Sequence, residues 1–384
     1  MKTAVFISSL ILAFAASAQD VNEPETMPSQ PASRRAPSPA DGRVQVALRA
    51  YDQGDYLRAE RELRAGLELE PKRNDISVRL GIVLYKMKKW GDALEFLQKS
   101  VTEDPRMIGE MQVIGHCHYE LGNLEEALKW YDNVIKAKPE NREAWRGKGF
   151  TLERLGKYTE AEDALRTSIA LNPESAPVHL WLGRVLTKQK KAGSAIPYLE
   201  KAKRLDPFDW EAEYELSRAY QSLGEPSRAK ASKQRSDFLK GHREVINELK
   251  SKILLNSQDF MLIAQLASRF DAIGDVVNAT KAWNHARNLS KDDPIITIAH
   301  AVSLFTNGGG ALAEDLLQRK IKERPSDPAL WEMLWYILKE RGDKKGAEDA
   351  ASRVKQILNR DPIVPDAFMK KPEAPASKPA ETGG

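Results

Sequence analysis

An alanine recurs at intervals of 34 residues along this 384-residue chain, and this regularity restricts the fold more than any other feature. The interval is broken once, between Ala229 and Ala279, and then resumes. A repeat of this length is typical of solenoids, in which each short unit buries its apolar face against the next unit. The nine alanines are Ala59, Ala93, Ala127, Ala161, Ala195, Ala229, Ala279, Ala313 and Ala347.

The residues around each alanine predict two helices per repeat. A small residue lies twelve positions before most of the alanines, and a turn residue lies five before, either glycine or, at Lys88 and Lys190, lysine. A proline follows twelve positions after the alanine in six repeats. Apolar residues between these positions are three or four apart, as on one face of a helix. The glycine therefore marks a turn between two helices, the proline ends the second one, and the small residue lets them approach closely.

These positions resemble the tetratricopeptide repeat (TPR) family. The likeness extends to a large residue four positions after the alanine, and to a tryptophan at the start of two first helices, Trp145 and Trp331. We count six repeats over residues 40–243 and three over 260–361. The resemblance implies an all-α fold, a right-handed α-solenoid of about nine helical hairpins, with the first helix of each hairpin on a concave face.

The break in the repeat predicts a long interrupting helix. Helix-breaking residues are almost absent between Pro226 and Asn256, so we expect one helix of roughly 25–30 residues, continuing through a linker at 244–259. An ordinary helix followed by a loop is the alternative. The side chains expected on the buried side of the long helix are Phe238, Val245, Ile246, Leu249, Ile253 and Leu254.

Residues 1–18 have the features of a secretory signal peptide. Lys2 precedes an apolar stretch that ends in Ala16-Ser17-Ala18, the small-x-small form that signal peptidase cleaves. We predict cleavage after Ala18 and a periplasmic or secreted protein without a stable membrane span; an uncleaved anchor is the alternative. Residues 19–39 are rich in Pro, Ser, Glu and Gln, and residues 362–384 in Pro, Ala and Lys, so both segments are predicted to be disordered.

The sequence does not contain the residue patterns of an active site or a metal centre. Cys117 is the only cysteine, which excludes an intramolecular disulfide, and we expect a buried thiol, with intermolecular pairing as the alternative. It lies between His116 and His118, but adjacent residues on a helix point in different directions and no second group supplies zinc ligands. We therefore predict a protein that is not an enzyme, with no catalytic residue, no metal and no cofactor.

The candidate binding residues lie on the first helices, at 15, 11, 8 and 7 positions before the alanine, where the resemblance implies a concave groove. These positions interleave Arg and Lys with aromatic residues. Arginine can hold a carboxylate or phosphate through two hydrogen bonds, and aromatic side chains supply contact area. A solvated charged face is the alternative. The candidates for the groove are His116, Tyr119, Arg146, Phe150, Arg184, Lys188, Tyr214 and Arg218.

We therefore predict a scaffold or adaptor that binds partner proteins in this groove, as an extended acidic peptide or a helix, during cell-envelope assembly or export. The alternative is an accessory protein that binds an anionic polysaccharide in a secretion system. The formal net charge is only +4 and both signs are spread along the chain, so nucleic acid is not a predicted partner. An apolar patch in repeats 7–9 suggests a further partner or self-association; it consists of Ile295, Ile298, Val302 and Phe305.

Overall fold

The computed structural model describes residues 38–104 and 106–364 of the chain. Within these ranges the chain forms eighteen α-helices and no β-strand, which confirms the all-α solenoid class. The predicted signal peptide, nearly all of the leader at 19–39 and most of the tail at 362–384 lie outside the described residues.

The helices form consecutive hairpins. Five hairpins precede the interruption: α1 (Pro39–Asp52) with α2 (Tyr56–Leu69), α3 (Asn74–Lys86) with α4 (Trp90–Glu103), α5 (Ile108–Glu120) with α6 (Leu124–Ala137), α7 (Arg142–Arg154) with α8 (Tyr158–Leu171), and α9 (Ala176–Lys188) with α10 (Ala192–Leu205). The sixth repeat consists of α11 (Trp210–Ser222) and the long α12 (Pro226–Leu255). Three hairpins follow: α13 (Phe260–Ile273) with α14 (Val276–Leu289), α15 (Pro294–Thr306) with α16 (Gly310–Glu323), and α17 (Pro328–Glu340) with α18 (Lys344–Leu358).

The turn within each hairpin needs a left-handed residue. All seven glycines at this position have positive φ, between +73° and +87°. Lys88 and Lys190 occupy the same position with φ of +60° and +63°. A side chain in this region of φ is strained by contact of its Cβ with the backbone, which explains why glycine is preferred at the turn.

The chain divides into two compact blocks between Ser236 and Asp237, inside α12. Within the first block, the second helix of each repeat packs against the first helix of the next, and consecutive first helices pack side by side. The same arrangement recurs among α13 to α18 in the second block. In each block the repeats therefore stack in chain order, as expected for a solenoid.

The two helices of a hairpin meet where a large side chain covers a glycine. A Cβ added to Gly81 would lie 2.6 Å from Leu97, and one added to Gly149 would lie 2.6 Å from Leu165. Both leucines are completely buried. The small residue twelve before the alanine therefore packs against the large residue four after it.

Tyr131 replaces leucine at this contact in the third repeat, and the next repeat accommodates its larger ring. Its ring lies against Gly115 of its own hairpin, where an added Cβ would be 3.0 Å away. It also lies against Gly147 on α7, where an added Cβ would overlap the ring. The residue equivalent to Gly147 is Arg79 two repeats earlier and Trp181 in the following repeat. Gly147 is thus a local match to Tyr131 and not part of the general pattern.

The structure of the long helix confirms its predicted length and corrects the prediction of its buried side. Residues 226–255 form a single helix, which excludes the helix-plus-loop alternative. Phe238 and Leu254 were expected on its buried side, but they are 41% and 72% exposed. The buried stripe instead follows a three- and four-residue spacing that leaves both of these positions on other sides of the helix. Its members are Ala229, Ser232, Ser236, Leu239, Ile246, Leu249 and Ile253.

Because Gly147 is matched to Tyr131, the effect of Gly147→Ala on the free energy of unfolding should change sign when Tyr131 is replaced. Gly147→Ala alone should destabilise the first block by about 1–3 kcal/mol, because the new methyl group overlaps the Tyr131 ring. In a Tyr131→Leu background the same substitution should stabilise it by about 0.5–1 kcal/mol, because alanine is the better helix residue. Urea unfolding followed by circular dichroism measures both values. Equal effects of Gly147→Ala in the two backgrounds would contradict the packing described here.

Candidate functional site

The first helices of repeats 2–6 (α3, α5, α7, α9 and α11) present one continuous face, because consecutive first helices lie side by side. We call this surface the inner face. The eight candidate residues predicted from the sequence all lie on α5, α7, α9 and α11.

An aromatic cluster occupies the part of the inner face between α3 and α5. The His116 ring lies 5.5 Å from Tyr85, 5.8 Å from Trp90 and 6.2 Å from Tyr119, measured between ring centroids. The guanidinium of Arg154 lies 4.6 Å above the Tyr119 ring, and its Nη1 donates a hydrogen bond to the Tyr119 carbonyl at 2.8 Å. Two of the predicted residues, His116 and Tyr119, are therefore brought together.

His116 is held as a neutral ring. Burial and the nearby charge of Arg146 lower its pKa to about 4. The Glu120 carboxylate lies 3.6 Å from His116 Nε2 and favours the protonated ring, but burial and Arg146 outweigh it. His116 thus contributes an aromatic surface, and not a charge, near neutral pH.

Arg146 departs from the expectation that it offers a charge to a partner. The residue is only 2% exposed, and its guanidinium forms an ion pair with Glu143 one turn earlier on α7. A buried arginine with a carboxylate partner stabilises its surroundings and is not available to an incoming group. The spacing before the alanine predicted Arg146 in the groove, but the side chain is buried beside Glu143.

The densest part of the inner face lies between α7 and α9. The Phe150 and Trp181 rings stack with centroids 4.0 Å apart and planes 20° apart. The Arg184 guanidinium lies 3.6 Å from the Trp181 ring centroid, a cation–π contact. Glu153 is buried below this stack and accepts a hydrogen bond of 2.5 Å from Lys188 Nζ.

Glu153 serves two cations. Its Oε1 lies 3.6 Å from Arg184 Nε as well as 2.5 Å from Lys188 Nζ. The side chains of Arg184 and Lys188 remain 20% and 33% exposed, whereas that of Glu153 is 4% exposed. Two partly exposed positive charges thus share one buried negative charge, which leaves a net positive potential at the surface.

The sixth repeat extends the charged surface along α11. Arg218 Nη1 donates a 3.0 Å hydrogen bond to Glu215, a buried carboxyl group. Burial raises the pKa of Glu215, and Arg218, Arg184 and Lys188 oppose that shift. Tyr214 is 38% exposed and its ring contacts Trp210, with centroids 6.3 Å apart.

Sequence reasoning missed three residues of this surface. Tyr85 lies eight positions before Ala93, as Tyr119 does before Ala127, so the same offset applied to the second repeat would have found it. Glu153 satisfies the offset, but its role as the shared partner of two cations depends on distances between helices. Trp181 lies fourteen positions before Ala195, outside the offsets, and no sequence signal marked it.

Residues 46–108, 114–166 and 151–210 match the sequence profile of the tetratricopeptide repeat. These ranges coincide with hairpins that recur at the 34-residue step, so the profile and the structure agree. Residues 46–108 and 114–210 of the chain are tetratricopeptide repeats. The profile match ends at Trp210, and the hairpins of the second block continue the TPR pattern through their alanine step and their helices.

The relatives of this TPR protein are distant. It is 23% identical over 264 residues to BBSome complex member BBS4 of Bos taurus, which covers 68% of this chain and 46% of that protein. It is 24% identical over 165 residues to the type IV pilus assembly protein PilF of Pseudomonas aeruginosa, which covers 42% of this chain and 64% of that protein. A crystal structure of a TPR protein from Parabacteroides merdae matches with a TM-score of 0.45 at 18% identity, over 69% of this chain and 98% of that one. The chain spans less than two thirds of the length of either BBS4 or PilF.

The residues around the only cysteine do not form a metal site. Cys117 is completely buried, as expected, and burial raises the pKa of its thiol to about 12. His118 Nε2 lies 3.0 Å from the Gln98 amide nitrogen on α4. Across the residues that the structure describes, no three His, Cys, Asp or Glu side chains gather where they could hold a metal ion.

None of the helices in the described part of the chain is both long and apolar enough to cross a bilayer.

The lowered pKa of His116 predicts a loss of stability in mild acid. The unfolded chain binds a proton at His116 below about pH 6.5, whereas the folded protein does so only near pH 4, so stability falls as the pH falls between these values. Between pH 7 and pH 4.5 the wild type should lose roughly 2 kcal/mol more than a His116→Phe variant, which keeps the ring but cannot titrate. Urea unfolding at the two pH values measures this difference. Parallel losses in the two proteins would show that the pKa of His116 is not lowered in the folded state.

Proposed function

We propose that this TPR protein is a non-enzymatic scaffold that binds partner proteins on the inner face of its first block. TPR proteins bind protein partners, and this chain shares their repeat over most of the residues that form the inner face. The finer proposal is that the ligand is an extended acidic segment, or an acidic helix, that crosses α7, α9 and α11.

The arrangement around Glu153 supports this proposal most directly. Lys188 and Arg184 share one buried carboxylate, so a carboxylate of the partner could bind their exposed side without displacing Glu153. The Phe150–Trp181 stack lies next to this charge and offers a flat apolar surface for a neighbouring side chain of the partner. Tyr214 and Arg218 on α11 would extend the contact by one repeat. His116 and Tyr119 would extend the contact in the other direction. Arg146 would stabilise the site through its buried ion pair with Glu143.

The proposed place of action is the bacterial cell envelope, in assembly or export. The features of residues 1–18 support a periplasmic or secreted location with cleavage after Ala18. The similarity to PilF, a type IV pilus assembly protein, also favours an envelope process.

Peptide binding tests the proposed inner-face site. A library of random 12-residue peptides would be selected on the chain lacking residues 1–18, and selected peptides would be labelled and titrated by fluorescence anisotropy. We expect Asp and Glu to be enriched beside aromatic residues. Lys188→Gln with Arg218→Gln should weaken binding by roughly 5–10-fold, because two charge-assisted contacts are lost.

Lys136→Gln with Lys138→Gln is the matched control, since both lysines are exposed at the end of α6, a second helix. It removes the same charge away from the inner face and should leave the affinity unchanged. Equal weakening by the control pair would show that only net charge matters and that the inner-face site is wrong.

A second candidate ligand is an anionic polysaccharide in a secretion system. It is favoured by the spacing of Arg184 and Arg218, which occupy the same position in consecutive repeats and so offer charges at the regular spacing of a repeating polymer. Binding of a polyuronate should then weaken steeply with salt, because cations that contact the polymer release counterions. Isothermal titration between 50 and 500 mM NaCl measures the slope. An affinity that stays constant over this range would remove the polysaccharide as a ligand.

A further inference from the structure

Two first helices of the second block carry large apolar residues at a position that is acidic in several repeats of the first block. Eighteen positions before the alanine, repeats 2, 4 and 6 have Asp75, Glu143 and Glu211. The same position in repeats 7 and 8 is Met261 and Ile295, which are 50% and 73% exposed. Large, exposed apolar side chains at a position that is acidic in several other repeats indicate a surface that is covered by something in the working protein.

One side of α15 extends this surface. Ile295, Ile298, Val302 and Phe305 follow each other at three- and four-residue spacing, and the last three are half-buried against the core of the block. The Phe305 ring meets the Tyr336 ring of α17 edge to face, with centroids 6.2 Å apart. We call the set Ile295, Ile298, Val302, Phe305 and Tyr336 the apolar strip.

The chain leaves its last helix towards the end of this strip. After α18, Asn359 takes a left-handed conformation with φ of +54° and reverses the chain. Arg360 Nη1 then donates a hydrogen bond of 2.7 Å to Glu332 Oε1, and the Ile363 amide nitrogen lies 3.5 Å from the same oxygen. Glu332 lies on α17 one turn before Tyr336, so residues beyond 363 start beside the helix that carries one end of the strip.

The residues after Ile363 match the apolar strip and its surroundings in hydrophobicity and in charge. Phe368 and Met369 are the only large apolar residues after Val364, and Lys370 and Lys371 follow them directly. Phe368 lies five residue steps beyond Ile363, a reach of up to about 17 Å, or some three turns of α17. Glu340 is exposed one turn beyond Tyr336 and would lie within range of the two lysines.

We propose that residues 366–371 of the tail bind the apolar strip of the same molecule. Phe368 and Met369 cover Val302, Phe305 and Tyr336, and Lys370 or Lys371 pairs with Glu340. The short connection from Ile363 gives the tail an effective concentration in the millimolar range, so weak contacts suffice to keep the strip covered. A partner that binds the strip more tightly displaces the tail, which therefore acts as a built-in competitor. This proposal is independent of the inner face of the first block.

Photo-crosslinking in the full chain locates the tail directly. p-Benzoylphenylalanine would replace Phe368, with the same residue at Ala376 as the control in the same tail. We expect at least fivefold more crosslinks to residues 294–306 and 328–340 from position 368 than from 376, within one chain and independent of protein concentration. Glu340→Lys, at an exposed position, places a like charge opposite Lys370 and Lys371 and should reduce these crosslinks severalfold.

A dye that binds exposed apolar surface provides the second measurement. Phe368→Asp with Met369→Asp should raise the fluorescence of anilinonaphthalene sulfonate two- to threefold, and Ala374→Asp with Ala376→Asp should leave it unchanged. Crosslinks between two copies would identify a second molecule as the occupant and overturn the proposal. Crosslinks from position 368 scattered as widely as those from 376, or dye fluorescence equal in the two tail variants, would overturn it as well.

Discussion

The structure depends on one steric contact that recurs in the hairpins of repeats 2–5, a large side chain that packs on a glycine of the opposite helix. Gly81 with Leu97 and Gly149 with Leu165 show its geometry, and a single added carbon would overlap the neighbour in either case. The contact sets the distance between the two helices, and the completely buried alanine beside it keeps that distance constant. Because each hairpin has the same thickness, the next one can stack on it in the same way, and the positions between the helices become a regular surface.

A larger side chain at this contact requires a smaller residue at the position that it packs against. Tyr131 is larger than the leucines at equivalent positions, and the neighbouring repeat provides Gly147 where other repeats have a side chain. The third and fourth repeats are thereby specific partners. This is how a chain built from similar units keeps them in one order, since a shuffled repeat would place a side chain against the Tyr131 ring.

On the inner face, by contrast, charged side chains form ion pairs within the protein itself. Glu143, Glu153 and Glu215 each hold an arginine or lysine of the same face. An unpaired cation half-buried between helices would be costly, so the carboxylates stabilise the fold and orient the cations at the same time. The shared carboxylate at Glu153 leaves an excess of positive charge beside the Phe150–Trp181 stack.

The sequence by itself determined the repeat length, the hairpins, the turns, the buried cysteine and the long helix, because each of these follows from local spacing of apolar, small and turn residues. It also placed the candidate residues on the correct helices. Only the tertiary structure decided that Arg146 is buried, that Trp181 belongs to the surface, that Glu153 serves two cations, and that Phe238 and Leu254 lie off the buried stripe. These outcomes depend on distances between side chains of different helices, or on the rotation of a helix against its neighbours. The 34-residue period specifies a repeated backbone conformation. It does not specify how different side chains pack in the space between two repeats.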